Sequence, residues 1–165
     1  MKTLIIYYSS GGSTRVMART LSMHLKADII EIKDLKKRSG LANRFLSSID
    51  AFRESKTEIS PERLDLSGYD LIYLGTPTWA NNAAPAIITI VDRCNWAGKD
   101  VIIFTTTSSG DGESTLDRLE EKVRMRGGRV IKSFYLQTKG KSPEDIITDT
   151  ESLIQTMDLK MYGGI

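Results

Sequence analysis

Within six residues, Ser9-Ser10-Gly11-Gly12-Ser13-Thr14, the chain offers four hydroxyls and two glycines. This stretch follows a short apolar run, Leu4 to Tyr7. It precedes a segment in which Val16, Met17, Leu21 and Leu25 recur at roughly helical spacing. The setting is strand, tight loop, helix. Amides at a helix start point outward without partners, and the helix dipole favours an anion there. Glycines let the backbone approach closely, and hydroxyls add donors. The loop therefore reads as a cup for a phosphate. It is not the Walker pattern, which ends in Gly-Lys-Ser/Thr, and it lacks the third glycine of the dinucleotide fingerprint. Hydroxyls without a cation suit a phosphate monoester wrapped on all sides.

Two more stretches carry the same kind of chemistry. Thr76-Pro77-Thr78-Trp79-Ala80-Asn81-Asn82 sets a tryptophan among small and polar residues. Such an indole is costly to expose unless something flat covers it or it folds back into the core. Thr105-Thr106-Thr107-Ser108-Ser109-Gly110-Asp111-Gly112 is another hydroxyl- and glycine-rich turn opening a helix. A phosphate cup, a flat aromatic and a polar pocket together describe a site for a mononucleotide with a large planar ring.

The elements that must position these loops alternate along the chain. Strands are expected over about Thr3–Tyr8, Ile29–Ile32, Tyr69–Gly75, Val101–Phe104 and Val130–Leu136. Helices are expected over about Ser13–Lys26, Pro85–Arg93 and Ser114–Arg126, the last with Leu116, Leu119 and Val123 on one face and Gly127-Gly128 as its stop. Ser142 as N-cap and Pro143 in the first turn open a final helix. Near-continuous apolar strands fit a parallel sheet covered on both faces. The expectation is an α/β fold: one doubly wound domain over residues 1–165, with five parallel strands in the order 2-1-3-4-5. The three loops would then meet at the carboxyl ends of strands 1, 3 and 4. Asp34 to Leu66 is too long for a simple connection. Leu41, Phe45, Ile49 and Phe52 share one face there, reading as a crossover helix, with a partner-docking or dimer-forming surface as the alternative.

The three stretches resemble the three FMN-binding loops of the flavodoxin family, in the right order and on the right elements, over the chain to about Leu136. That resemblance implies FMN as cofactor. Its phosphate would lie on Ser9, Ser10, Gly11, Gly12, Ser13 and Thr14. Its ring would lie between Thr76–Asn82 and the loop holding Thr106, Thr107, Ser108, Ser109, Gly110 and Gly112, with Trp79 as ring partner. It also implies a short-type chain and, at the Ala80–Asn81 peptide, a turn tolerant of positive φ, with Asn81 where many relatives have glycine. Gly11 and Ser13 stand where the family usually has Thr and Asn, and the loop after strand 4 has no Tyr or Trp for the outer ring face.

Composition narrows the rest. Lys and Arg number 23 against 21 Asp and Glu, so charge alone implies no nucleic-acid partner, and the chain lacks the strong acidity usual in carrier flavodoxins. The single cysteine, Cys94, excludes internal disulfides and thiolate clusters, and no metal site is expected. A receiver domain would need acids after strand 1, and a serine hydrolase would need a histidine near a nucleophile; the one histidine, His24, falls on helix 1. No apolar stretch reaches membrane-spanning length, so a cytoplasmic monomer or homodimer is expected. Two functions stay open. One is electron transfer through bound flavin to a redox partner protein; the other is an NAD(P)H- or quinone-dependent oxidoreductase acting on a small-molecule donor or acceptor.

Overall fold

The computed structural model describes residues 1–36 and 56–162. Five parallel strands form the sheet: β1 (Thr3–Tyr7), β2 (Asp28–Glu31), β5 (Leu71–Trp79), β7 (Asp100–Thr107) and β8 (Arg129–Gln137). Their order is β2-β1-β5-β7-β8, the doubly wound order expected, with β6 (Asn82–Ala83) added antiparallel to the end of β5. The short pair β3 (Lys33–Asp34) and β4 (Ile59–Ser60) lies off the sheet and was not foreseen. Leu41, Phe45, Ile49 and Phe52, expected on a crossover helix, lie outside the described residues.

Alternate residues of each strand face opposite layers. Ile5, Tyr7, Leu71, Tyr73, Ile102 and Phe104 pack with Met17, Ala18, Leu21 and Leu25 of α1 (Ser13–Leu25) and with Ile146 and Ile154 of α4 (Pro143–Thr156). Leu4, Ile6, Ile72, Leu74, Val101 and Ile103 face α2 (Pro85–Arg93) and α3 (Glu113–Met125). Helix α2 is buried along nearly its whole length, and Pro85 starts it without costing a needed amide. Trp96 is fully buried beneath it, its indole N–H donating to the Val91 carbonyl at 2.8 Å. Helix α4 begins with a reciprocal capping box between Ser142 and Asp145. Burial raises the Cys94 thiol pKa, and the residue packs in the core.

The central strands run further than expected. Thr76–Trp79 and Thr105–Thr107, read as loop, are strand. Thr76 pairs with Thr105 and Pro77 with Thr106, which carries the parallel ladder past the apolar segment. Thr78 and Trp79 then turn to pair with Ala83 and Asn82. Polarity suggested loop here, but β-branched threonine suits a strand when its hydroxyl has a partner. One glycine is dictated by packing. A Cβ on Gly75 would sit 2.2 Å from the Phe104 ring, which also stacks on Phe134 with ring centroids 6.0 Å apart. Gly75→Ala should therefore destabilise the protein by about 1–3 kcal/mol through overpacking. A urea midpoint equal to wild type would show that the Phe104 ring can move aside.

Candidate functional site

The first loop is shaped by its own serine. Gly12 is the N-cap of α1 with φ 101°, a left-handed conformation that glycine adopts without steric cost. Gly12 has no side chain to cap the helix. The Ser9 Oγ accepts from the amides of Gly12 and Arg15, each at 3.2 Å, drawing the loop into a ring. Among the described residues the amides of Ser13 and Thr14 find no acceptor. The hydroxyls of Ser10 and Ser13 likewise make no hydrogen bond there. The Thr14 hydroxyl is committed to the Thr106 hydroxyl, 2.8 Å away and buried. The four hydroxyls thus divide: those of Ser9 and Thr14 are engaged within the structure, and among the described residues those of Ser10 and Ser13 are not. Ser9 still has its own O–H to donate.

Behind the cup, threonines stitch β5 to β7. Thr105 Oγ1 donates to the Thr76 carbonyl at 2.7 Å and lies 2.9 Å from Thr78 Oγ1. Thr76 Oγ1 accepts from the Ala84 amide at 3.0 Å, which fixes the start of α2. Ala80 and Asn81 then form a two-residue hairpin turn with φ 49° and 60°. Two successive positive φ values are the type I′ signature. Asn81 tolerates this well, whereas Ala80 carries the ordinary Cβ penalty. Trp79 is half-buried and meets Tyr8 edge-on, ring centroids 5.6 Å apart and planes at 88°.

A cleft of about 200 Å³ lies at the carboxyl edge of the sheet where these parts meet. Ser9, Ser10, Gly11, Ser13 and Thr14 line it from the first loop, and Pro77, Thr78 and Trp79 from the end of β5. Thr106 and Ser108 line it from β7 and the turn that follows. The other candidates are placed differently. Asn82 is buried, its Oδ1 accepting from the Ala83 amide at 2.9 Å. Thr107 Oγ1 donates to the Ser109 carbonyl at 2.8 Å and closes the turn. Gly110 has φ 74°, and a Cβ on Gly112 would come within 2.6 Å of Thr105 and 2.8 Å of Tyr135. Gly12, Thr76, Ala80, Asn81, Thr107, Ser109, Gly110 and Gly112 shape the surrounding backbone rather than the cleft wall.

Sequence reasoning missed Thr138, which lines the cleft from beyond β8 and donates its amide to the Thr107 carbonyl at 2.9 Å. It also missed an ionic wall behind the cup. Arg15 Nη2 lies 2.6 Å from Glu31 Oε1, and the Tyr7 hydroxyl donates to Glu31 Oε2 at 3.1 Å. The Arg15 guanidinium, helped by Tyr7, holds the Glu31 carboxyl below its usual range against the cost of burial. Desolvation, then the nearby Glu31 charge, raises the Tyr7 phenol. The sequence signal was available in Tyr7 at the end of β1 and Glu31 at the end of β2, which are register partners. His24, by contrast, is a surface residue with its Nε2 3.0 Å from Glu151.

A family model described as flavodoxin matches residues 2–136. The chain belongs to the flavodoxin family. Among proteins similar to this flavodoxin-family chain is NAD(P)H dehydrogenase (quinone) 3 of Rhizobium meliloti (strain 1021). It is 30% identical over 156 residues, covering 89% of this chain and 73% of the relative. A flavoprotein from Lactobacillus acidophilus NCFM, solved in complex with FMN, is 27% identical with TM-score 0.70, over 81% of this chain and 92% of that one. Two-electron reduced Megasphaera elsdenii flavodoxin, 18% identical with TM-score 0.52 over 93% and 98%, shares the fold. No helix among the described residues is long and apolar enough to cross a membrane.

Two outcomes follow from this geometry. Ala80→Gly removes the Cβ penalty at positive φ but loosens the unfolded chain, so stability should rise modestly, by about 0.5–1 kcal/mol. A fall in urea midpoint would show that the Ala80 methyl packs usefully. The pKa of Glu31 is depressed in the fold, so the stabilisation from its ion pair is present above the ordinary value of 4.5 and is lost as pH falls through the folded pKa. Wild type should therefore lose more stability between pH 6 and 3 than Arg15→Gln, with denaturation at each pH as the measurement. Parallel curves would mean the pair contributes nothing.

Proposed function

We propose that this chain holds FMN in the cleft at the carboxyl edge of its sheet and works as a redox protein, passing electrons through the flavin. The observation carrying this reading is the open start of α1. Among the described residues the amides of Ser13 and Thr14 and the hydroxyls of Ser10 and Ser13 have no partner, and these three residues line the same cleft as Trp79. Helix amides, dipole and hydroxyls fit a phosphate monoester without any lysine in the loop. The flavodoxin family and the FMN complex of the Lactobacillus flavoprotein support the same cofactor. Bound FMN would supply a ring that takes up and gives back electrons.

The chain's own residues then have separate tasks. Ser10, Gly11, Ser13 and the first amides of α1 would take the phosphate, while Ser9 and Thr14 keep that loop closed against β7. Pro77, Thr78, Trp79, Thr106 and Ser108 would border the rest of the cofactor, and Tyr8 supports the indole from its side. The part these residues would play is to bind and orient the cofactor and to exclude water from it.

Two uses of the flavin remain distinct. In the first, electrons move to and from a partner protein. The second, direct NAD(P)H- or quinone-linked turnover, is favoured by the similarity to the Rhizobium enzyme. Anaerobic mixing of the FMN-loaded protein with NADH and NADPH separates them. Rapid bleaching of the yellow colour supports the enzyme, and bleaching only with an added reductase supports the carrier.

The cofactor assignment is tested by reconstitution. The apoprotein should take up FMN, and Ser13→Ala should weaken FMN about ten- to hundredfold, the worth of one hydrogen bond to a charged group of about 1.5–3 kcal/mol. Riboflavin, which lacks the phosphate, should bind both proteins alike. Equal losses for FMN and riboflavin would place the phosphate elsewhere.

A further inference from the structure

A second, larger cleft of about 860 Å³ shares Ser9 and Ser10 with the first but opens on the opposite side of the loop, over the carboxyl end of β2. Arg15, Arg19, Lys33 and Lys36 line it, against the carboxylates of Glu31 and Asp34. Neither carboxylate is idle. Glu31 is engaged by Arg15 at 2.6 Å and by the Tyr7 hydroxyl at 3.1 Å. Asp34 Oδ1 accepts from Thr57 Oγ1 and from the Lys36 amide, both at 2.9 Å. Among the described residues, Arg19 and Lys33 make no ion pair, and both are exposed. Among the described residues the lining carries four cations against two anions, both of them engaged.

Its place in the sheet gives that charge a meaning. In dinucleotide-binding sheets with the glycine fingerprint, which this chain lacks, the acid at the end of the second strand accepts from a ribose hydroxyl, and an arginine nearby serves instead when that hydroxyl carries a phosphate. Glu31 stands at that place, but its oxygens are taken by Arg15 and Tyr7. What remains open to a ligand is a planar guanidinium fork and an ammonium, the pair suited to a phosphate dianion.

We propose that this groove binds a nucleotide phosphate, additional to the cofactor phosphate held in the cup, with Arg19 and Lys33 as its principal contacts. It deepens the redox reading and rests on it for one point: the nucleotide would be the electron donor, a nicotinamide dinucleotide carrying a 2′-phosphate. The binding itself needs no turnover to be seen.

The test is calorimetric titration of the FMN-saturated protein with adenosine 2′,5′-bisphosphate at low ionic strength, repeated on the flavin-free protein. One saturable site is expected in both. Arg19→Ser/Lys33→Ser should weaken it at least tenfold, Arg19→Lys/Lys33→Arg should keep affinity near wild type, and FMN uptake should be unchanged in all three proteins. Absence of saturable heat in wild type, or wild-type affinity in the double serine variant, would overturn the proposal. Release of FMN by the bisphosphate would also overturn it, because the anion would then be in the cup. Failure of FMN uptake is read before any nucleotide is added, so it strikes the redox reading and leaves the groove to be judged on the flavin-free titration.

Discussion

The buried contact between the hydroxyls of Thr14 and Thr106 is the interaction on which the site depends. It ties the first turn of α1 to β7 across the end of β5, at the polar edge beyond the apolar core that Met17 and Leu21 share with Ile102 and Phe104. A hydroxyl pair in a dry place is directional, and neither oxygen could lose its partner without a desolvation cost. Thr105 continues the stitch to the Thr76 carbonyl and Thr78 hydroxyl, and Thr76 passes it to the start of α2. The polar edge is thus built by extending the sheet's ladder with threonines, and the apolar segments end just before it.

That construction separates two kinds of residue that look alike in sequence. Ser9 spends its oxygen on the loop and Thr14 on Thr106 of β7, whereas among the described residues the hydroxyls of Ser10 and Ser13 make no hydrogen bond. Glycines divide similarly. Gly12 is required by a left-handed backbone, while Gly75 and Gly112 are required because ring and methyl groups occupy the space of a Cβ. Proximity to a motif does not reveal such roles; neighbours distant in sequence do.

Ser9 and Ser10 border two clefts with different electrostatics, the second of them lined by the ion pair of Arg15 and Glu31. On one side, amides and hydroxyls offer a neutral cradle whose positive character comes from the helix start. On the other, formal positive charge exceeds negative among the described lining residues. An anion can be held on either side, but by different means: oriented dipoles in the cup, and screened charges in the groove that weaken with salt. With Lys and Arg exceeding Asp and Glu by only two over the chain, this local excess is a matter of placement and not of composition.

What the sequence determined was everything carried by periodicity and short-range chemistry. Apolar runs at Leu4–Tyr7, Leu71–Leu74 and Val101–Phe104 specified buried parallel strands, and the helical spacing of Met17, Leu21 and Leu25 specified the covering face of α1. The order of strands and the loops on their carboxyl ends followed from alternation of the elements. The tertiary structure alone decided where polar residues would spend their hydrogen bonds. Thr76–Trp79 became strand because β7 offered a ladder partner, which a polar local sequence cannot announce. Ala80 joined Asn81 at positive φ because the hairpin to β6 demanded it of both. Thr138 reached the cleft only through the pairing of β8 with β7. Hydrophobic burial is written along the chain as a period; the partner of a buried hydroxyl is a fact about two places in the chain at once.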